Sequence, residues 1–246
     1  MGDLILEGRQ YESLIEGAQL TLQILAYSFV LGVLLSLFVG IGRLSHRRWV
    51  RGAALVYVEL ARGISSIVLL FIVAYALPIL LDIPQASLVM LASLALGVNM
   101  GGYGAELIRG AIQAIPKGQT EATIALNLTT TQRLRHVILP QAMRLILPPM
   151  GNLTIEILKG TALVSLVGVT DIMQTASNLW QQQLFAGEGA SRPTLYFNAL
   201  VFYFVIAQVI NALFKLAERR VERRFAGGEA EVVEDEELEE IPGVTK

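Results

Sequence analysis

Long apolar runs, separated by short basic or polar stretches, dominate the chain. The clearest covers residues 18–41 without a formal charge, with Gln19, Thr21 and Gln23 at its entry, where headgroups hydrate them. Further runs cover about 56–81, 86–112 and 195–213, and a less regular one begins near Gln141, interrupted by Pro148, Pro149, Glu156 and Lys159. Each reaches about the 20 residues that a helix needs to cross a hydrocarbon core of roughly 30 Å. The pattern predicts an all-α integral membrane protein with five transmembrane helices. No internal repeat is visible, and five spans do not divide into two equal inverted halves, which counts against the common inverted-repeat carrier designs.

Composition supports the class: 54% hydrophobic and 16% charged residues, with a mean hydropathy of +0.56, are too apolar for a soluble domain of 246 residues. Charge placement then orients the spans. Arg43, His46, Arg47, Arg48 and Arg51 follow the first run; Arg109, Lys117, Arg133, Arg135 and Arg144 lie between the third and fourth; Lys215, Arg219, Arg220, Arg223 and Arg224 follow the fifth. The turn around Asp82 has no base, and residues 180–193 have only Arg192. Basic loops alternate, so the N-terminus is expected outside and the C-terminus in the cytoplasm. The first run starts late, is long enough to span and ends in a basic loop, so it reads as a span rather than a cleaved signal.

The net charge of −2 hides an asymmetry. Eight acidic residues and one Lys lie in residues 227–246, leaving the remainder with 18 basic and 13 acidic side chains. Residues 1–225 are expected to form the transmembrane domain, and 226–246 an acidic, disordered cytoplasmic tail. No cysteine is present, so thiol and disulfide chemistry are absent.

A polar insert, EATIALNLTTTQRLRHVILP, occupies residues 121–140. Pro116 fits a helix start, and Gln119 to Leu126 favours a short helix with Ala122, Ala125 and Leu126 on one side. Asn127 tolerates a left-handed backbone and so a chain reversal. Thr129, Thr130 or Thr131 can cap a following helix. Two short helices at a sharp turn would form a protruding knob; the bland alternative is an amphipathic loop on the membrane surface.

This insert resembles the docking loop of membrane subunits of ATP-driven importers (the EAA loop). That pattern has Glu-Ala-Ala, a Gly four residues on, and Ile-x-Leu-Pro at its close. Glu121, Ala122, Leu139 and Pro140 match, while Thr123, Asn127 and Val137 replace the second Ala, the Gly and the Ile. From residue 56 to 224 the chain resembles permease subunits of the polar amino-acid uptake family of ABC importers. The stretches YVELARG (57–63), GAELIRGAIQAIPKGQTEA (104–122), VILPQAMRLILPPMGN (137–152) and ILKGTALVSLVGVTDI (157–172) carry that resemblance. Within the family it is most similar to ectoine/hydroxyectoine permeases, on Asn99 and Gly102 before Tyr103-Gly104, on Asn127, and on Gly160 after Lys159. Ile64-Ser65-Ser66 and Leu69 depart from the relatives' usual residues there.

The resemblance implies a type I ABC importer permease fold in the bacterial inner membrane. It implies two permease halves, identical or paralogous, around a central path, with separate ATPase subunits on the docking loop (about 116–140) and an extracytoplasmic binding protein. It further implies uptake of a small zwitterion, ectoine or a polar amino acid, and no nucleic-acid partner. Docking falls to Glu121, Ala122, Thr123, Asn127, Leu139 and Pro140.

Ionisable groups within spans face a cavity or a partner. Glu59 with Arg62, and Glu106 with Arg109, are spaced to pair on one helix face. Glu156 and Lys159 are also spaced to pair, about 20 Å along the fourth run; with Thr161 they are candidates for the path or for a packing pair. Asn99 contacts solute or a neighbouring helix, amid Gly97, Gly101, Gly102 and Gly104, which suit a packing seam. Trp49 and Trp180 fit interfacial anchors, and His46 and His136 lipid-facing or docking positions. No phosphate loop, metal cluster or nucleophile–base constellation is present, so neither a catalytic residue nor a cofactor is expected. The competing reading is a self-contained channel or ion-coupled carrier, for which the docking loop is a coincidence.

Overall fold

A computed structural model describes residues 6, 8–186 and 190–239, with the backbone alone at 186 and 224–239. In chain order the helices are α1 (Gly8–Arg43), α2 (Arg48–Gly63), α3 (Ser66–Phe71), a π-helical turn (Ile72–Ala76) and α4 (Leu77–Leu80). Then follow α5 (Leu88–Gln113), α6 (Lys117–Ala125), α7 (Thr130–Arg133), a second π turn (Leu134–Ile138) and α8 (Leu139–Thr161). A 3-10 stretch (Ala162–Val167), α9 (Ile172–Ala186) and α10 (Arg192–Glu239) complete the chain. Among the described residues there is no strand. Four stretches are long and apolar enough to cross a membrane alone: Gly8–Arg43, Leu88–Gln113, Thr130–Val167 and Arg192–Arg223.

The remaining expected span is not one straight helix. Arg48–Gly63 and Ser66–Leu80 meet at 102°. Gly63 closes α2, and Ile64 (φ −87°, ψ 132°) and Ser65 are extended, so the helical ladder is interrupted over two residues. Five spans are reached by counting this bent pair as one. Gly63 and Ser65 lie inside the apolar run over 56–81 and mark the stop of α2 and the start of α3.

The fourth span is more regular than its prolines imply. Pro148 and Pro149 lie inside α8, which continues unbroken to Thr161. Two prolines remove two helical hydrogen bonds but do not stop a helix whose flanks are packed. Helix α9 is not expected from the polar composition of its sequence; it follows the fourth span in the chain and packs on α1 and α10. The backbone of α10 remains helical as far as Glu239, into the stretch expected to lack fixed structure. Ala, Glu and Leu in that stretch are good helix formers, and no proline intervenes before Pro242.

Two cores organise the bundle. The larger joins Ile24, Leu70, Leu96, Met100, Ile108 and Leu158, from α1, α3, α5 and α8. The smaller joins Leu14, Ile172, Ala176 and Leu195, where the start of α1 meets α9 and α10. Between helices in lipid the drive is close packing rather than water exclusion, and α5 shows how this is achieved. A Cβ on Gly104 would lie 2.0 Å from Ser36 Oγ, and one on Gly102 would lie 2.5 Å from Ala61 Cβ. The glycine-rich stretch of α5 is the seam against α1 and α2.

Candidate functional site

The arm over residues 116–140 is built by its caps. Pro116 is the N-cap of α6 rather than its first residue. Asn127 takes φ +56°, the left-handed backbone that reverses the chain after Ala125. Thr129 then begins α7 with a reciprocal capping box: its hydroxyl accepts from the Gln132 N–H at 3.3 Å, and the Gln132 side-chain oxygen accepts from the Thr129 N–H at 2.9 Å. Both ends of the reversal are therefore fixed by local hydrogen bonds.

The expected docking residues divide by position. Glu121, Ala122 and Asn127 are exposed, and so are Ile124 (56%) and Leu126 (73%). Thr123 is buried, its hydroxyl donating to the Thr120 carbonyl at 2.7 Å, so it faces inward. Leu139 and Pro140 are half-buried in the first turn of α8, at the root of the arm. Ala122, Ala125 and Leu126 do share a face, as the pattern predicted, but that face is open rather than packed.

Polar residues of the spans also divide. Asn99 is buried; its amide donates to the Ala61 carbonyl at 2.9 Å and its oxygen accepts from the Ser66 hydroxyl at 3.4 Å. It thus bridges the end of α2 and the start of α3 across the 102° bend. Two tyrosines work beside it: Tyr57 donates to the Val98 carbonyl at 2.8 Å, and Tyr103 lies under the Arg62 guanidinium at 5.4 Å.

Two expected ion pairs do not form. Among the described residues, Glu59 does not pair with Arg62, nor Glu156 with Lys159; the ion pairs present join Glu106 to Arg109 and to Arg43, the latter at 3.6 Å. Arg62 turns instead onto the Tyr103 ring. Glu156 and Lys159 are both exposed, on one face of α8 with Asn152. Thr161 is fully buried and donates to the Leu158 carbonyl at 2.7 Å, so it does not share that face. The Glu106–Arg109 pair forms as expected, and Arg43 ties it to the end of α1.

A cavity of about 310 Å³ opens beside this face, with Arg62, Tyr103, Glu106, Asn152 and Glu156 on its wall. It holds both signs of charge, an aromatic ring and an amide within one recess. Neither Asn152 nor Tyr103 is among the path candidates that the sequence alone offers. The spacing of Asn152, Glu156 and Lys159 by four and three residues places them on one helix face, and that periodicity is the available signal.

Asp171 was also missed. It is fully buried at the start of α9, where its carboxylate accepts from the Gln174 N–H and from the Tyr203 hydroxyl, each at 2.9 Å. Burial pushes its pKa above the ordinary aspartate value, against the lowering effect of those hydrogen bonds. Its sequence context, an Asp just before an apolar-polar alternation, is an N-cap signal.

The fold and the arm can be set beside known proteins. The family model described as "Binding-protein-dependent transport system inner membrane component" matches residues 8–224. The chain belongs to this family. It is 39% identical over 227 residues to a probable amino-acid ABC transporter permease protein of Sinorhizobium fredii, covering 90% of this chain and 93% of that one. It is 33% identical to the glutamine transport system permease protein of Escherichia coli, covering 85% and 92%. A crystal structure of an amino acid ABC transporter with histidines superposes with a TM-score of 0.76 at 30% identity, covering 86% of this chain and 95% of that one. The chain is accordingly a multi-pass inner-membrane permease component with the type I importer fold, not an enzyme, and such a component implies an ATPase partner.

Proposed function

We propose that this permease imports a small zwitterionic solute, ectoine or a polar amino acid, and that an ATPase drives it through the arm at residues 116–140. The observation that carries the coupling is the open tip of the arm. Ile124 and Leu126 stand in a polar segment, beside Glu121, on a backbone fixed by Asn127 and the Thr129 cap. Large apolar side chains presented on a rigid, polar-rimmed knob mark a surface that a protein partner covers. Relatives of glutamine and cystine transport systems support an amino-acid-like solute; the resemblance of Asn127 and Gly160 to ectoine permeases supports the narrower choice.

In this reading the N-terminus lies outside and the C-terminus in the cytoplasm, as the alternating basic loops require. Two permease halves, identical or paralogous, enclose the path, and a binding protein delivers the solute from outside. Asn152, Glu156 and Lys159 line the path, with Arg62 and Tyr103 on the opposite wall of the recess. A zwitterion needs one partner of each charge, and this recess offers both. Asn99 and Thr161 serve the scaffold, because their hydrogen bonds are made within the chain. ATPase closure pushes on Glu121, Ala122 and Leu126, and α8 carries that push to the recess, because arm and helix are joined through the π turn at Leu134–Ile138.

The decisive experiment reconstitutes the permease in vesicles with its ATPase and binding protein, and measures uptake of labelled ectoine, glutamine and cystine. Uptake that needs ATP and saturates with one of these solutes is expected. Equal uptake without the ATPase would overturn the reading in favour of a self-contained carrier.

A further inference from the structure

Between the α1–α2 turn and the docking arm lies a cavity of about 790 Å³, more than twice the polar recess beside α8. Its lining mixes two chemistries. Phe38, Val50 and Ile138 supply an apolar wall, and His46, Arg47 and Arg133 a basic rim. Phe38, on α1, is 75% exposed, so the lining includes an apolar side chain open to the surroundings of the bundle. Trp49, two residues after Arg47 at the start of α2, is 92% exposed, as suits an indole at the headgroup level.

We infer that this cavity holds an anionic phospholipid, its phosphate between Arg47 and Arg133 and its acyl chain along Phe38. The inference rests on the cytoplasmic placement of the basic loops given above. Basic recesses between spans on that side suit acidic headgroups. A free phosphate would satisfy the rim but leave the apolar wall empty, so a molecule with both an anionic head and a chain fits the whole cavity. The position gives the lipid a consequence. Arg133 ends α7, and its guanidinium donates to the Thr130 hydroxyl at 3.2 Å. One wall therefore belongs to the arm and the other to the α1–α2 turn. The bound lipid fastens the arm to the membrane side and holds the docking tip at a fixed height for the ATPase.

The test uses the complete complex in nanodiscs of phosphatidylglycerol or phosphatidylcholine. Lipid retained after detergent extraction is counted by mass spectrometry, alongside solute-stimulated ATP hydrolysis. Wild type is expected to retain phosphatidylglycerol, and Arg47→Gln with Arg133→Gln to retain at least about fivefold less. Arg47→Lys with Arg133→Lys should retain most of it, which separates loss of charge from loss of fold. Stimulated hydrolysis should fall in wild type when phosphatidylglycerol is replaced, and fall little further in the double Gln variant. Equal retention by wild type and the double Gln variant would overturn the proposal. So would loss of the ATPase subunit from that variant with lipid retention unchanged, since the rim would then be a protein contact. The chain has no cysteine, so Thr131→Cys reports topology separately. Labelling of that thiol by an impermeant reagent from outside would overturn the orientation itself, and labelling from inside alone leaves the lipid counts to decide.

Discussion

Asn99 on α5 and Glu156 on α8 are both polar residues within long apolar helices, yet their surroundings are opposite. Asn99 is buried, and both ends of its amide are hydrogen-bonded within the chain. Glu156 is exposed, and among the described residues it has neither ion pair nor hydrogen bond. A polar group at membrane depth needs a partner. When the chain supplies it, the group belongs to the scaffold; when the chain does not, the partner comes from a second subunit, water or solute. Helix α5 is thus the frame on which the bent α2–α3 pair is hung, whereas α8 starts at the arm and is open along one face; under the proposed function it is the working helix.

The harshest test of the frame is at Gly104, where a Cβ would meet Ser36 Oγ at 2.0 Å. Gly104→Leu should abolish folded permease on size-exclusion chromatography, because two helix backbones cannot part without unpacking α5. Gly104→Ala should be milder, of the order of 1–3 kcal/mol from overpacking, read as a lower melting temperature. Pairing it with Ser36→Gly removes the obstructing side chain and should recover most of the loss. A melting temperature unmoved by Gly104→Ala would mean the seam is not tight.

On the transport side of the comparison, the largest effect is expected in α6, at the arm that leads into α8. Glu121→Lys should leave insertion and melting temperature unchanged, since Glu121 is exposed, but should remove most uptake and most solute-stimulated ATP hydrolysis. Persistence of both at wild-type levels would show that the ATPase docks elsewhere.

The difference between frame and working helix was partly legible in the sequence. In the arm the reversal at Asn127 and a threonine cap were legible, since they carry local backbone chemistry, but the choice of Thr129, the N-cap position of Pro116 and the π turn after Arg133 were not. The glycine seam was legible for a similar reason: small residues at helical spacing have few other uses in a span. The 102° bend was not read, although Gly63 and Ser65 are local stop and start residues; the long apolar run around them masked these signals, and Asn99, 33 residues from Ser66, bridges the break. Pairing was misjudged for Glu156 and Lys159 because spacing shows which residues share a face, not which way that face points. Helix α9 was hidden by its polar face, which resembles a loop until the buried Ile172 and Ala176 are seen against α1.

A paired substitution separates the two helices directly. Asn99→Ala should lower stability by about 1–3 kcal/mol, the cost of leaving the Ala61 carbonyl without its donor, while surviving molecules transport at near-normal affinity. Glu156→Gln with Lys159→Met should do the reverse: melting temperature within a degree or so of wild type, and uptake reduced at least about tenfold or changed in selectivity. The comparison fails if the double variant melts early while transporting normally, since both residues would then be packing groups.

The smallest expected effect concerns Asp171, which combines the two situations: buried like Asn99 and a carboxyl like Glu156. Burial raises its pKa in the folded state above the unfolded value. A group with a raised folded pKa contributes stability that is fully present below the unfolded pKa and lost as pH rises through the folded one. Wild type should therefore gain stability relative to Asp171→Asn as the solution is acidified toward the ordinary aspartate range, by at most about 1.4 kcal/mol per pH unit. Melting temperatures of both proteins across a pH series measure this, and Asn keeps an oxygen for the Gln174 N–H. If wild type instead loses ground to the variant on acidification, the hydrogen bonds from Gln174 and Tyr203 outweigh burial. Asp171 would then be held as a charged cap, with helix α9 depending on its ionisation.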